Sequence, residues 1–502
     1  MMADQYRSVA VAALTALLSG CAVGPDFVRP GAPVGTAYTA AKPKLAPPGG
    51  EPAQRLVEAG IIPAAWWQAF GSPPLDAVVR QALAENPSIA AAKATLAQMQ
   101  QAVLQAQGAY YPQLDFAASA ERQRGPGFAL GLLQGRQLPV FNLYSVGPTA
   151  SFSPDVFGLT ARRVEQQEAL AELQAYQLAA AHLAIAGNVV TQALTIASVR
   201  RQMAALQEIL GQDERNLTLV RQKFEVGRAP RSDLLTAETQ AANDRALLPP
   251  LGQQLAVAED ALAVLVGKSP AEWVPPAFDL ADFTLPAELP VSLPSALARQ
   301  RPDILAAEAQ LHASSAAIGV ATAQMYPNFP LSASLNTAAL SATSLFDQSS
   351  LVWTLAGGLT APIFHGGALA AQKQGAIDGF QASLATYRQT VLQAFGQVAD
   401  ILRALGHDAE LAEAERRALD AATTALDLQR LSYGAGRADA LRLIDAERSA
   451  HQARIGYARA QAQRYLDSAQ LVVAMGGGWW HDPTFGSAAV PADPIPSAEA
   501  QP

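Results

Sequence analysis

Cysteine is nearly absent from this chain of 502 residues. Cys21 is the only one, so no intrachain disulfide can form, and packing and assembly must hold the fold. Charge is scarce too. Asp, Glu, Lys and Arg make up 16% of residues, against about 25% in ordinary soluble domains. The formal net charge of −8 offers no basic surface to nucleic acid. A phosphate-cradling Gly-x-x-x-x-Gly-Lys loop is missing. The six histidines, His182, His312, His365, His407, His451 and His481, show none of the spacings of zinc or nucleophile motifs. Carboxylates scattered along helical stretches read as solvated faces. We therefore expect no catalytic residues, no metal and no cofactor beyond a covalent lipid, and the chain reads as a non-enzyme. After the first twenty residues no segment approaches a membrane-spanning helix, which needs about 20 apolar residues.

What is present begins with residues 1–20, which read as a signal peptide. Arg7 lies in the short n-region, and an apolar run from Val9 to Leu18 is too short for a retained span. The run ends in Leu18-Ser19-Gly20-Cys21, which has the shape of a lipobox. Cys21 would then carry an S-diacylglycerol and an N-acyl chain, and two or more chains anchor stably where one is marginal. The alternative for Cys21 is a stray or buried thiol.

An internal repeat organises the rest. Glu85-Asn86-Pro87-Ser88-Ile89 aligns with Gln300-Arg301-Pro302-Asp303-Ile304, and Tyr111-Pro112 with Tyr326-Pro327. Further on, Val226-Gly227-Arg228-Ala229 aligns with Ala435-Gly436-Arg437-Ala438. Each copy opens on a helical segment, Leu75 to about Tyr110 and Pro294 to about Met325, stopped by its Tyr-Pro pair. Two strands follow in each, at about 112–124 and 144–157, then about 327–340 and 350–363. Their period-two alternation sets Leu114, Phe116 and Ala118 against Gln113, Asp115 and Ser119. That is the pattern of a transmembrane β-barrel, or of a soluble hairpin with one wet face.

Next comes a proline-free helical stretch in each copy, 161–226 and 368–433, roughly 100 Å long at 1.5 Å per residue. It ends in a glycine turn, the tips at about 226–230 and 434–439. A shorter helix returns, and together with the next ascending segment it matches the long leg in length. The chain thus divides into an extended lipidated segment at 21–63, repeat one at 64–267, a proline-rich equatorial linker at 268–293, repeat two at 294–480 and a disordered tail at 481–502. Four strands cannot close a barrel, and an open edge in lipid leaves backbone groups unsatisfied. Two or three copies must therefore combine, giving eight or twelve strands continued by a helical tube.

The residues also carry a family resemblance. Cys21-Ala22-Val23-Gly24-Pro25-Asp26-Phe27-Val28-Arg29-Pro30, then Trp66-Trp67-Gln68-Ala69-Phe70, and Pro362-Ile363-Phe364-His365-Gly366-Gly367 resemble the outer-membrane efflux lipoproteins, the NodT-type branch of the TolC-like family. The resemblance spans Cys21 to about Trp480. It implies a mainly α fold with a small β part. It also implies a homotrimer with a twelve-strand barrel in outer-membrane lipid and a twelve-helix periplasmic tunnel. Its implied partners are a periplasmic adaptor and an inner-membrane pump, commonly of the RND type. The function implied is an exit duct for drugs or other small molecules. Alternatives are a duct for peptides or proteins, or a structural coiled-coil lipoprotein without a lumen.

By the same resemblance, Gly227, Arg228 and Gly436 are adaptor-docking tips, and Tyr433, Arg437, Asp439, Arg442 and Asp445 form a periplasmic gate. Tyr433 and Asp445 match the family's gate tyrosine and an acidic gate position. Arg442 stands where some members have aspartate, and Ala438 where some have arginine. That departure leaves two readings, a charge pattern swapped across the constriction or plain solvated turns.

Overall fold

The computed structural model describes residues 22–31, 35, 37–39, 54–58, 60–124, 140–438, 440–483 and 485. The signal peptide, Cys21, Asp439 and nearly all of the tail lie outside the described residues. Helices dominate. They are α1 (Pro73–Glu85), α2 (Pro87–Gln107), α3 (Leu159–Glu225), α4 (Arg231–Arg245), α5 (Leu248–Leu265), α6 (Pro294–Gln300), α7 (Pro302–Ala323), α8 (Ala368–Gly434) and α9 (Ala440–Ala474). The strands are β1 (Arg55–Glu58), β2 (Gln113–Gln123), β3 (Phe141–Phe152), β4 (Glu288–Val291), β5 (Leu331–Ala339) and β6 (Leu351–Gly357).

The chain divides into two compact units. One comprises residues 1–29, 97–173 and 307–386, the other residues 30–96, 174–306 and 387–502. The first unit holds a four-stranded antiparallel sheet in the order β2-β3-β5-β6. Its register settles the meaning of the alternation. Leu114, Phe116 and Ala118 stand opposite Ala150, Pro148 and Val146. Ala150 and Phe152 stand opposite Ala333 and Leu331, and Leu335 opposite Trp353. Paired residues share a face, so these apolar residues fall on one side, joined there by Thr337, while Leu143 and Val352 fall on the other. Gln113, Asp115, Ser119, Ser145, Thr149, Ser151, Ser332, Ser334 and Thr354 occupy that other face. Phe116, Trp353 and Leu355 remain about three-quarters exposed, an apolar surface that no described element covers. β3 is central yet contains Pro148, which has no N–H to donate, and the β3–β5 ladder skips Gly147 and Pro148 without changing register.

The strands are shorter than the alternation suggests. Pro327 and Pro330 delay β5, and only an isolated bridge, Asn328 to Thr360, continues the β5–β6 pairing. β3 stops at Phe152, because Asp155 turns to cap α3 by accepting from the amides of Thr160 and Ala161 at 2.9 and 2.7 Å.

In the same unit the segment opening at Ala22 is held by a buried guanidinium. Arg162, 5% exposed, donates to Asp26 and Glu165 at 2.7 Å each and to the carbonyl of Val23 at 3.2 Å. Phe27 stacks on His312 at 4.4 Å, and Arg29 pairs with the buried Glu308. A Cβ at Gly24 would lie 2.5 Å from the Gly319 Cα, so glycine here permits backbone contact with α7.

The second unit corrects the expectation of single ascending helices. Both are broken before a proline, at Asn86-Pro87 and Arg301-Pro302, because proline disfavours the helical conformation of its predecessor. The two breaks are tied down at equivalent places. Asn86 donates to the carbonyl of Leu265 at 2.7 Å, and its Oδ1 accepts from the Ser88 amide at 2.8 Å. Arg301 donates to the carbonyl of Ala474 at 3.0 Å and grips Asp303 through two bonds. The returning helix of repeat one is also interrupted, between α4 and α5, where Pro249 and Pro250 open α5. In the linker, β4 pairs in parallel with β1, a pairing the sequence reading lacks.

Helices α3 and α8 each run 67 residues. One stretch of α3 is, by length and composition, apolar enough to cross a bilayer, contrary to the sequence reading. A buried core helix meets the same test, and Val189, Val190, Ala193, Leu194, Ile196 and Ala197 of α3 are fully buried.

Replacing Arg162 by alanine leaves Glu165 with only His312 as a partner and frees residues 22–29. Because Asp26 is largely exposed, we expect the lower end of the cost of breaking a buried pair, about 3 kcal/mol. A fall in melting temperature with new protease cuts before Pro30 checks this, and unaltered proteolysis refutes the clamp.

Candidate functional site

The two glycine turns share one geometry. Gly227 and Gly436 both have φ of +71°. The Gly227 and Arg228 amides donate back to Phe224 and Lys223 at 2.9 and 2.7 Å, and those of Gly436 and Arg437 to Tyr433 and Ser432 at 3.1 and 2.8 Å. This is the 6→1 and 5→2 pair of a Schellman ending, with glycine in the left-handed position. A Cβ at either glycine would meet nothing within 4 Å, so conformation and not space selects glycine.

Around these turns the structure sorts the expected gate residues. Arg228, Arg437, Arg442 and Asp445 are exposed. Asp445 pairs with Arg448 one turn along α9 at 3.2 Å. Asp439 lies outside the described residues. Tyr433 is instead 8% exposed and packs with Leu426, Leu443 and Ala450. Lys223, from the other tip, places its Nζ 3.6 Å from the centre of the Tyr433 ring, a cation–π contact across the two hairpins. Beside it a groove of about 360 Å³ is lined by Arg215, Leu219, Arg430, Tyr433 and Glu447.

The view of carboxylates as solvated faces fails along these helices. Glu447 is 5% exposed, accepts from Asn216 at 3.2 Å, and is pushed up by burial against the opposing pull of Arg430. Asp213 is 5% exposed and pushed up to about 7, chiefly by burial and then by Asp244 beside it. His451 is 6% exposed and held down to about 4 by burial, and so neutral. Farther along, Asp408 is raised to about 8 by burial and by Asp467, with Arg464 opposing. The sequence carried no spacing that could reveal these groups, since each set is drawn from distant helices.

A sheet that is apolar on one side, polar on the other and open at both edges is complete only among further copies of itself. The class is therefore that of channels assembled across the outer membrane from several protomers. The chain belongs to the outer membrane efflux protein family, whose model matches residues 78–268 and 293–477. It is 31% identical over 423 residues to the pyoverdine export outer membrane protein OpmQ of Pseudomonas aeruginosa, covering 83% of this chain and 88% of the relative. To the outer membrane protein OprJ of the same organism it is 30% identical over 474 residues, 92% of this chain and 94% of that one. Among solved structures it resembles the outer-membrane channel OprN, with a TM-score of 0.81 and 27% identity over 91% of this chain and all of that one. The fold is thus the TolC-like α/β-barrel protomer. The protein is the outer-membrane duct of an efflux pump, extending into the periplasm. Channels of this kind work as trimers with an adaptor and an inner-membrane pump.

Two predictions follow from the tips and the buried carboxylates. Gly436→Ala forces a side chain into the left-handed region at a cost of about 1 kcal/mol, so amide exchange at 435–437 should quicken about fivefold. Gly436→Asn, better tolerated there, should have a smaller effect, and equal exchange in all three proteins would refute the conformational account. For Asp408 the folded state binds its proton more tightly than the unfolded chain. Stability is then undiminished below the ordinary 3.8 and falls as pH rises towards about 8. Asp408→Asn should melt with the parent at pH 3.5 and above it at pH 8.5, and parallel melting curves across that range would contradict the assignment.

Proposed function

We propose that this chain is a lipid-anchored, passive exit duct for small molecules, fed by an RND-type pump and opened at its tips by a periplasmic adaptor. It catalyses no reaction. The observation carrying this reading is the register of the four strands, which collects most apolar alternates on one face for lipid and most polar alternates on the other for a water-filled lumen. Cys21 holds the lipid, and Gly227, Arg228 and Gly436 dock the adaptor. The name of one relative states pyoverdine export, which supports an export role for this duct.

Tyr433, Arg437, Asp439, Arg442 and Asp445 form the gate. In a trimer the exposed charges of α9 repeat around the axis. Each exposed pair contributes less than about 1 kcal/mol, so the closed state holds through the sum of three copies and yields when the adaptor binds. Tyr433 serves as the apolar pivot between the two tips through Lys223.

Conductance of the purified channel in planar bilayers tests the gate. Asp439→Ala with Asp445→Ala should raise single-channel conductance several-fold, whereas conductance equal to the parent's would remove the gate from these residues.

A further inference from the structure

About 15 residues from each tip turn, three side chains from three helices converge inside the bundle. Asp213 of α3, Asp244 at the end of α4 and His451 of α9 bring one ligand atom each to within 4.8 Å of the others, with His451 Nδ1 3.9 Å from Asp244 Oδ2. Asp213 and His451 are more than nine-tenths buried. Among the described residues Asp213 Oδ2 and His451 Nδ1 are buried atoms without a hydrogen-bond partner. Two carboxylates side by side in such a place repel each other, and burying an unpaired charge is strongly unfavourable.

The nearby cations are committed elsewhere. Arg245 pairs with Glu214 at 3.0 Å, Arg430 donates to Gln212 at 2.8 Å, and Arg454 pairs with Glu208 at 2.9 Å. From these contacts we infer that Asp213, Asp244 and His451 bind a first-row divalent cation of the zinc type, which staples α9 to α3 and α4 below the gate.

The surroundings supply what such a site requires. Gln212 Oε1 lies 3.5 Å from His451 Nε2, a weak bond that favours the proton on Nε2 and turns the Nδ1 lone pair to the cluster. Gln240 donates to Asp244 Oδ2 at 2.8 Å and steadies that carboxylate. Partners behind the ligands orient them and tune affinity. Two carboxylate oxygens and one imidazole nitrogen suit zinc better than calcium or magnesium, which take oxygen donors alone. Tetrahedral zinc, with bonds of about 2.1 Å, holds its ligand atoms roughly 3.4 Å apart, so binding draws the three helices slightly together.

The repeat shows that the cluster is not a by-product of the fold. At the offset that matches Gly227 with Gly436, Asp213 corresponds to Ala422, Asp244 to Ala453 and His451 to Ala242. Ala422 packs against an apolar cluster and Ala453 is buried. At the two equivalents in the second copy alanine packs well, and at Ala242 of the first copy it faces solvent. The ligand types are therefore a local addition, at a place where the sequence alone suggests no metal.

Full-length protein without a histidine tag, purified in detergent and stripped with chelator, is titrated with zinc chloride by calorimetry and followed by thermal melting. We expect one zinc per chain and a melting temperature that rises on loading. Affinity should fall at least about tenfold in each of Asp213→Asn, Asp244→Asn and His451→Gln. Asp213→Asn and Asp244→Asn remove buried charge and should fold at least as well as the parent, which separates lost binding from lost structure. His407→Gln, altering an exposed histidine–carboxylate pair, should change nothing. Absence of stoichiometric uptake would overturn the site. So would uptake that survives all three substitutions or disappears only with His407→Gln.

Discussion

A peptide group inside hydrocarbon finds no water, and this constraint dictates most of what this chain must do. Its four strands pair β2-β3-β5-β6 and leave β2 and β6 as edges. In lipid those edges must meet other strands, and among the described residues β1 and β4 are already paired with each other. Further copies are required before the barrel exists at all. The same copies cover the edges and enclose the polar face, leaving Phe116, Trp353 and Leu355 directed at lipid. Low charge and the lack of disulfides fit a fold whose stability is completed by assembly.

The repeats meet identical geometrical demands with different chemistry. Each ascending helix breaks before a proline, and each break is fastened to the last carbonyls of a returning helix. Repeat one uses Asn86, whose amide donates to Leu265 while its oxygen caps the next helix. Repeat two uses Arg301, which reaches Ala474 and grips Asp303. Near the tips the divergence is larger. Repeat one and α9 place Asp213, Asp244 and His451 around one point, whereas alanines fill the equivalent positions. A duplicated framework keeps its backbone contacts and can vary side chains wherever packing tolerates the change.

That freedom explains why the tip has two characters. Its turns are fixed by backbone conformation at Gly227 and Gly436, and its outer charges are solvated and weak one by one. Its interior holds Tyr433 under Lys223 and several carboxylates removed from water. Exposed charges can rearrange when a partner docks, while buried ones resist movement of the helices that carry them. A duct that opens at one end and stays intact along its length needs both.

The sequence by itself determined the repeat, the two long helices, the strand pairs, the tip glycines and the need for more than one copy. These depend on local chemistry: proline stops helices, glycine adopts left-handed turns, and alternation sorts a strand into faces. It also pointed to the family through short motifs such as Gly24-Pro25-Asp26-Phe27, though not to their job of clamping the segment through Arg162. Only the tertiary structure decided which faces align across β3 and β5, that β1 pairs with β4, that Tyr433 is buried, and that Asp213 meets Asp244 and His451. Those groups are separated by up to 238 positions, and a helix face has the same period whether it meets solvent, a neighbour or a cation. What a side chain faces is set by the helices packed around it, and no spacing along one helix records that.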